Sequence, residues 1–270
     1  MVTRSEGPPA ATEAGRASDP DWWRSFFDDA FAELVLEPRR HEQLEATVAF
    51  LEAQLQLSVG ATVFDQACGL GRLACALARR GHSVIGVDQS EAYLQRARAS
   101  AAGEGLACEL VTGDAAVFET ARPCDGGFNW WTSFGYDAQD RQSRAMLDRA
   151  FRSLKPGARF ALDYLNVPQM LRELRPAMVS RIPVANGEAL VVRETEVDLA
   201  RGTFEQTWTY LWPDGRRRAR HGRTRAFMPR ELFDLFTGAG FGDISLFGSV
   251  DGAPLRLSSP RCIVVGRKPA

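Results

Sequence analysis

The sequence predicts an α/β fold: a mostly parallel sheet with helices on both faces, an inserted antiparallel β-subdomain and a helical N-terminal segment. Three observations carry this. Strand-like and helix-like stretches alternate between Ala61 and Leu165, a glycine-rich turn follows the first strand, and residues 167–226 abandon the alternation for strands separated by turn residues. The composition, 45% apolar and 25% charged over 270 residues, is that of an ordinary globular chain with room for a substantial core.

Taken in order, residues 1–18 are rich in Gly, Pro, Ala and Ser and are expected to form a disordered tail. Residues 19–57 read as N-terminal helices. Asp19 suits a cap and Pro20 a first helical position, starting a helix over about 21–36 that carries Trp22, Trp23, Phe26, Phe27 and Phe31. A second helix is expected over 40–55. Residues 58–166 form the predicted α/β core, with strands near 62–65, 83–88, 107–111, 125–131 and 158–165 and helices ending near Arg79, Ala102 and Leu154. Residues 167–226 read as the insertion, with three antiparallel strands near 188–197, 203–212 and 216–226 and turns at Arg201-Gly202 and Pro213-Asp214-Gly215. The α/β pattern returns over 227–270 with a helix at 229–239 and strands near 242–249 and 262–268, giving seven strands in the main sheet.

Charge and cysteine usage narrow the function classes. With 33 basic and 34 acidic residues there is no global positive field, so a nucleic-acid partner is not expected. Five scattered cysteines form no C-x-x-C pair and the three histidines stand apart, so no metal site is expected. A reducing, cytoplasmic location fits, and no run of 18 apolar residues suggests a membrane partner.

The chemistry concentrates at Asp65-Gln66-Ala67-Cys68-Gly69-Leu70-Gly71. Glycines there let a ligand approach the backbone, and the helix behind them presents free N–H groups. Asp88 ends the next strand, where a carboxylate accepts from both hydroxyls of a ribose; Asp114 follows the third strand, where adenine would lie. Gly69-Leu70-Gly71-Arg72-Leu73-Ala74 formally satisfies the dinucleotide pattern as well. A carboxylate at Asp65, so close to the turn, disfavours a pyrophosphate and favours a cofactor bearing an amino group and a sulfonium. A glycine turn serving only close packing is the non-functional alternative.

Val63 to Gly71 is similar to the first motif of class I S-adenosylmethionine-dependent methyltransferases, Gly86-Val87-Asp88-Gln89-Ser90 resembles their second, and Thr112-Gly113-Asp114-Ala115 their third. Leu154-Lys155-Pro156-Gly157 and Ala239-Gly240-Phe241 also look like that family. Trp131 to Tyr136 and Asp251-Gly252-Ala253-Pro254 resemble a bacterial small-molecule branch. Gln66 departs from the pattern, standing where an apolar residue is usual. The resemblance implies a Rossmann-like methyltransferase fold with S-adenosylmethionine as cofactor. It further implies that Asp65, Ala67, Gly69 and Gly71 hold the methionine part, Asp88 and Gln89 the ribose, and Asp114 and Ala115 the adenine.

The expected partner is a small-molecule methyl acceptor, taking the methyl on oxygen or nitrogen; the sequence leaves room for a homodimer. Trp23 and Phe27, one turn apart, would cover the cofactor as a lid, and an aromatic face attracts a sulfonium; core packing is the competing role. Asn129-Trp130-Trp131 lacks the prolines of loops that methylate nucleic-acid bases, and Trp130 is a further candidate for the cofactor site. Phe204, Trp208, Tyr210 and Trp212 share a face by alternation and would wall an acceptor site or simply seat the insertion. The arginines of 216–225 read as an anion site or a solvated edge strand. For catalysis, His221 is the candidate base and Tyr136 the candidate orienting hydroxyl. Two further alternatives stay open: use of the cofactor structurally for another reaction, and non-catalytic binding of an adenosyl ligand.

Overall fold

The computed structural model describes residues 21–37, 41–137 and 139–270. The tail expected over 1–18 and the Asp19–Pro20 helix start lie outside the described residues. Strands β1 (Thr62–Gln66), β2 (Ser83–Asp88), β3 (Cys108–Thr112), β4 (Cys124–Asn129) and β5 (Leu154–Leu165) alternate with helices α4 (Arg72–Arg79), α5 (Glu91–Gly103) and α6 (Arg141–Ser153). After the insertion, helix α8 (Pro229–Gly238) leads to β10 (Gly242–Phe247) and β11 (Arg261–Arg267). The seven strands stand in the order β3-β2-β1-β4-β5-β11-β10, with β11 antiparallel to both neighbours and the others parallel.

The sheet is buried on both faces, so its central strands are apolar at consecutive rather than alternate positions. Val63, Val84 and Phe128 pack toward α3 (His41–Leu55), α4 and α5, whereas Phe64, Ile85 and Phe160 pack toward α6 and α8. Each such buried side chain contributes about 1.5–3 kcal/mol relative to exposure. The order in which strands are added to the sheet reverses between the parallel neighbours β1 and β4, and the loops leaving the carboxyl ends of β1, β2, β3 and β4 converge there, the place where open α/β sheets bind ligands.

The N-terminal helix expected over 21–36 is broken. A short turn, α1 (Trp23–Phe26), stops at Phe27, whose ψ of 76° leaves the helix. Asp28 then caps α2 (Asp29–Phe31) by accepting the Phe31 N–H at 3.1 Å, and the chain continues as a π-helical turn, Ala32–Leu36. An aspartate offering its carboxylate to a backbone N–H competes with an uninterrupted helix, and here it wins.

The insertion holds one helix and one strand more than the three strands expected. Helix α7 (Val167–Arg172) precedes a four-stranded antiparallel sheet of β6 (Ala177–Val184), β7 (Gly187–Asp198), β8 (Thr203–Leu211) and β9 (Arg217–Arg225). Strand β6 escapes sequence reading because Pro183 argues against a strand and its apolar residues do not alternate; as an edge strand it tolerates the missing N–H. Trp22, Trp23, Phe26 and Phe31 share a core with Ala189, Val191 and Tyr210 of this sheet, so the N-terminal segment lies against the insertion.

Candidate active site

The turn after β1 is left-handed at three alternate residues, Ala67, Gly69 and Gly71, with φ of 62°, 55° and 67°. Ala67 accepts strain there that glycine avoids. The turn is tied to β2: Cys68 N–H donates to the Val87 carbonyl at 2.9 Å and Gly69 N–H to Asp88 Oδ2 at 2.8 Å. The other oxygen of Asp88 accepts the Ser90 N–H at 2.9 Å. One carboxylate therefore shapes the turn and presents acceptors to the space above it. A Cβ on Gly69 would meet nothing within 4 Å, whereas one on Gly71 would strike the Ala97 Cβ at 2.9 Å. Gly69 faces open cleft; Gly71 allows α4 to approach α5.

A cleft opens above this turn. Ala67, Gly69, Asp88 and Gln89 line one side, Asp114 and Ala115 another, and Trp130 and Tyr136 a third. Trp23 and Phe27 roof it, with Phe31 and Leu36 beside them. Gln89 Nε2 donates to the Trp23 carbonyl at 3.2 Å, joining the roof to the loop after β2. Tyr136 sits among aromatic rings of the N-terminal segment, 4.9 Å from Trp22, 5.7 Å from Phe27 and 6.3 Å from Trp23, centroid to centroid.

Asp65 and Gly71 lie beneath the cleft surface rather than lining it. Asp65 is buried, and burial first, then Asp88 and Cys75, hold its carboxyl well above the ordinary carboxylate range. Asp88 is also raised, mainly by burial, against the opposing pull of its backbone N–H donors. Two carboxyls kept this dry are relieved by an incoming cation. The amino group and sulfonium of S-adenosylmethionine are such cations; together with the open glycine, the paired acceptors of Asp88 and the aromatic roof, the residues present fit that cofactor.

Sequence reasoning missed Arg72, Tyr93, Trp131, Gln142 and Met146, all of which line the cleft. Arg72 directly follows the glycine turn, and Gln142 and Met146 are four apart on α6, signals that were available. The departure at Gln66 also has a structural account: its buried Nε2 donates to the Met146 carbonyl at 2.9 Å and the Ala115 carbonyl at 3.2 Å, anchoring two cleft walls.

The loop after β4 is strained and held. Trp131 and Thr132 have φ of 59° and 62°, a conformation that bulky and β-branched side chains resist. Buried Asp163 accepts the Trp131 N–H at 3.0 Å and pairs with Arg261 at 2.6 and 2.7 Å, and Arg261 also donates to Thr132 Oγ1 at 2.7 Å. This lock directs Ser133 to Tyr136 into the cleft.

His221 is not part of the cleft. In β8 and β9, Gln206 pairs with Gly222 and Trp208 with Arg220, and Gly222 lies under Trp22 and Phe26. Strand alternation sends the intervening His221 to the opposite face, exposed, with Nδ1 3.0 Å from Thr207 Oγ1. The expected role as a base facing the methyl is therefore corrected. Trp208, Tyr210 and Trp212 pack against the N-terminal segment, and neither they nor Phe204 line the cleft. The arginines of β9 divide: Arg218 and Arg220 pair with Asp28 at 3.0 and 2.8 Å, and Arg225 pairs with Asp140 at 2.7 Å.

Residues 63–157 match the family model described as a methyltransferase domain. Over 113 residues the chain is 33% identical to the S-adenosyl-L-methionine-dependent Diels-Alderase of Talaromyces variabilis, covering 40% of this chain and 37% of that protein. The chain spans well under half the length of the curated relatives it matches. Among solved structures, the CcbJ methyltransferase from Streptomyces caelestis superposes with a TM-score of 0.77 at 22% identity, covering 93% of this chain and 100% of that one. CalS10, an amino pentose methyltransferase from Micromonospora echinaspora solved with S-adenosylmethionine bound, gives 0.67 at 18% identity, covering 86% and 92%. The chain thus shares the Rossmann-like sheet of these methyltransferase structures, and its residues 63–157 are similar to a methyltransferase domain. No described helix is long and apolar enough to cross a membrane.

Proposed function

We propose that this protein transfers the methyl group of S-adenosylmethionine to a nitrogen of a small molecule, in secondary metabolism. The observation that carries the choice of nitrogen is the absence of a suitable base among the described residues lining the cleft. The carboxylates there, Asp88 and Asp114, lie where ribose and adenine are expected. Burial pushes the phenols of Tyr93 and Tyr136 and the Cys68 thiol above their usual values, so all three keep their protons near neutrality. An alcohol acceptor needs a group that takes its proton; an amine that arrives neutral does not. The amino pentose acceptor in the description of CalS10 supports the same choice.

The cofactor supplies a sulfonium methyl open to in-line displacement, with S-adenosylhomocysteine as the by-product. The chain's own contribution is alignment and exclusion of water, which can account for much of such a rate. Asp88 and Asp114 fix the nucleoside, the aromatic roof excludes water, and the Tyr136 hydroxyl donates a hydrogen bond to orient the acceptor.

The test is S-adenosylhomocysteine formation across paired acceptors, amino sugars against the same sugars with hydroxyl in place of amine. Turnover is expected with amines alone, rising with pH as the acceptor amine loses its proton. Turnover confined to hydroxyl acceptors would overturn the choice of nitrogen. Tight cofactor binding without by-product from any acceptor would instead favour non-methylating use of the cofactor, as the name of the Talaromyces relative describes for that protein.

A further inference from the structure

The loop that carries Tyr136 is fixed at its start by the Asp163–Arg261 pair, which belongs to β5 and β11 of the main sheet. Its far end is held from the insertion. Arg225, the last residue of β9, donates its main-chain N–H to the Gly135 carbonyl at 2.7 Å, and its own carbonyl accepts the Tyr164 hydroxyl at 2.5 Å. Its half-buried guanidinium pairs with both oxygens of Asp140, at 2.7 and 3.3 Å, and donates to the Gly202 carbonyl between β7 and β8 at 2.8 Å. Glu231 of α8 lies 3.5 Å from the same guanidinium.

These contacts act on backbone position. Asp140 stands at the N-cap of α6 with φ of 59°, yet its carboxylate does not cap the helix and turns to Arg225 instead. In its place the Asp137 carboxylate accepts the Gln139 and Gln142 N–H groups at 2.9 and 3.1 Å. Gly135, with φ of 81°, has no room for a side chain: a Cβ there would lie 2.5 Å from the Tyr164 hydroxyl and 3.4 Å from the Arg225 Cβ. Gly135 is thus pressed against β5 and β9, and Asp140 is drawn to β9 by a two-pronged ion pair, which fixes direction as well as distance. Neither Arg225 nor Asp140 lines the cleft, whereas Gly135 and Tyr136 do.

We propose that Arg225 is a positioning residue for methyl transfer: with Asp140 it grips both ends of the segment from Gly135 to Asp140 and so aims the Tyr136 hydroxyl at the acceptor. The role rests on the methyl-transfer reading above, in which that hydroxyl orients the acceptor. Because Arg225 closes the inserted sheet, the hydroxyl is aimed only when that sheet is seated on the α/β core.

Glycine adopts a φ of 59° freely, so Asp140→Gly removes the ion pair without straining the loop, and Arg225 keeps Gly202 and Glu231 as partners. Its kcat with the amino sugars is expected to fall by about 2- to 12-fold, the most that one misdirected neutral hydrogen bond costs, with the Kd for S-adenosylhomocysteine unchanged. Asp140→Asn, which also tolerates this φ and keeps an acceptor for the guanidinium, is expected to restore most of the loss. The deciding measurement is a double-mutant cycle with Tyr136→Phe. With the hydroxyl gone, Asp140→Gly is expected to slow turnover no further. Full multiplication of the two losses, or an unchanged kcat in Asp140→Gly, overturns the role. Should Asp140→Gly not fold, Arg225→Lys, which keeps the charge without the fork, enters the same cycle. A second readout needs no acceptor. The chain has four tyrosines, and in protein labelled with 3-fluorotyrosine the Tyr136 fluorine resonance is assigned by its absence in Tyr136→Phe. That resonance is expected to move in Asp140→Gly while that of Tyr93 stays; an unmoved Tyr136 resonance overturns the clamp whatever the acceptor. Wild-type protein that turns over no amino sugar overturns the methyl-transfer reading and this role with it, whereas failure confined to the variants overturns the role alone.

Discussion

Asp88→Asn isolates the double duty of the carboxylate at the end of β2. Two backbone N–H groups converge on it, Gly69 at 2.8 Å and Ser90 at 2.9 Å, one on each oxygen. An asparagine keeps one acceptor oxygen and presents an NH₂ to the other N–H, so one charge-assisted bond is replaced by donor facing donor. Such a bond is worth about 1.5–3 kcal/mol. For a chain of this size that corresponds to a melting temperature lower by about 3–12 °C without ligand. On the proposed cofactor reading the ribose hydroxyls would lose a charged acceptor of the same kind, so the Kd for S-adenosylhomocysteine is expected to rise by about 10- to 150-fold. Calorimetric titration gives the second figure and thermal melting the first, on the same sample. A variant that melts lower but binds with wild-type affinity would confine Asp88 to shaping the turn. One unchanged in both would refute the geometry argued here.

Two further outcomes follow from buried groups. Because burial raises the folded-state pKa of Asp65 above its unfolded value, its contribution to stability is present below about pH 4 and is lost as pH rises through the folded value. Asp65→Asn, which mimics the protonated form, is therefore expected to melt above ligand-free wild type at neutral pH and to lose that advantage as pH falls toward about 4; melts that differ equally across the range would contradict this. In Gly222→Ala the new Cβ would lie 2.8 Å from the Trp22 ring and 3.0 Å from Phe26, so the N-terminal segment must shift. A stability loss of about 1–3 kcal/mol in urea titration and faster hydrogen exchange over residues 22–36 are expected, and wild-type exchange there would show that the contact does not seat the segment.

The parts of the site legible in sequence are those written in local pattern. Apolar runs ending in Asp65, Asp88 and the Gly113–Asp114 turn placed acids at the ends of β1, β2 and β3, because a parallel sheet aligns those ends whatever the loop lengths. The parts that were not legible depend on which way a side chain faces across distant elements. His221 and Gly222 are adjacent in sequence, and only the register of β9 on β8 decides that Gly222 meets Trp22 while His221 faces away. The break at Phe27 turns on competition between the Asp28 carboxylate and helix continuation, and its outcome depends on Tyr93 and the β9 arginines gathered around Asp28. Arg72 was read only as a position in a glycine pattern, since nothing local indicates that a side chain at a helix start will reach a carbonyl as far along the chain as Leu36.

Asp28 also determines how the cleft must open. Its Oδ1 accepts from Phe31 N–H, its Oδ2 meets Arg218 and Arg220 of β9, and its carbonyl accepts the Tyr93 hydroxyl of α5 at 2.8 Å. N-terminal segment, inserted sheet and α/β core thus meet on one residue, and the segment has a different kind of contact on each side. Toward the sheet it shares a core in which Trp22, Phe26 and Phe31 pack with Val191, Tyr210 and Trp208. Peeling it away alone would expose several large side chains, each at about 1.5–3 kcal/mol, and would break the Asp28 ion pairs as well. Toward the α/β core the polar ties are the hydrogen bonds of Tyr93 to Asp28, Gln89 to Trp23 and Arg72 to Leu36, each worth about 0.5–1.5 kcal/mol net, or up to about 3 for the charged one, and the exposed Arg96–Glu37 ion pair, worth about 0–1 kcal/mol, beside the stacking on Tyr136. The cheaper separation lies on the core side, so the segment travels with the inserted sheet rather than swinging from it. An acceptor entering from that side passes between Tyr136, held by the Asp163–Arg261 lock, and a roof whose aromatic residues stay assembled as it moves.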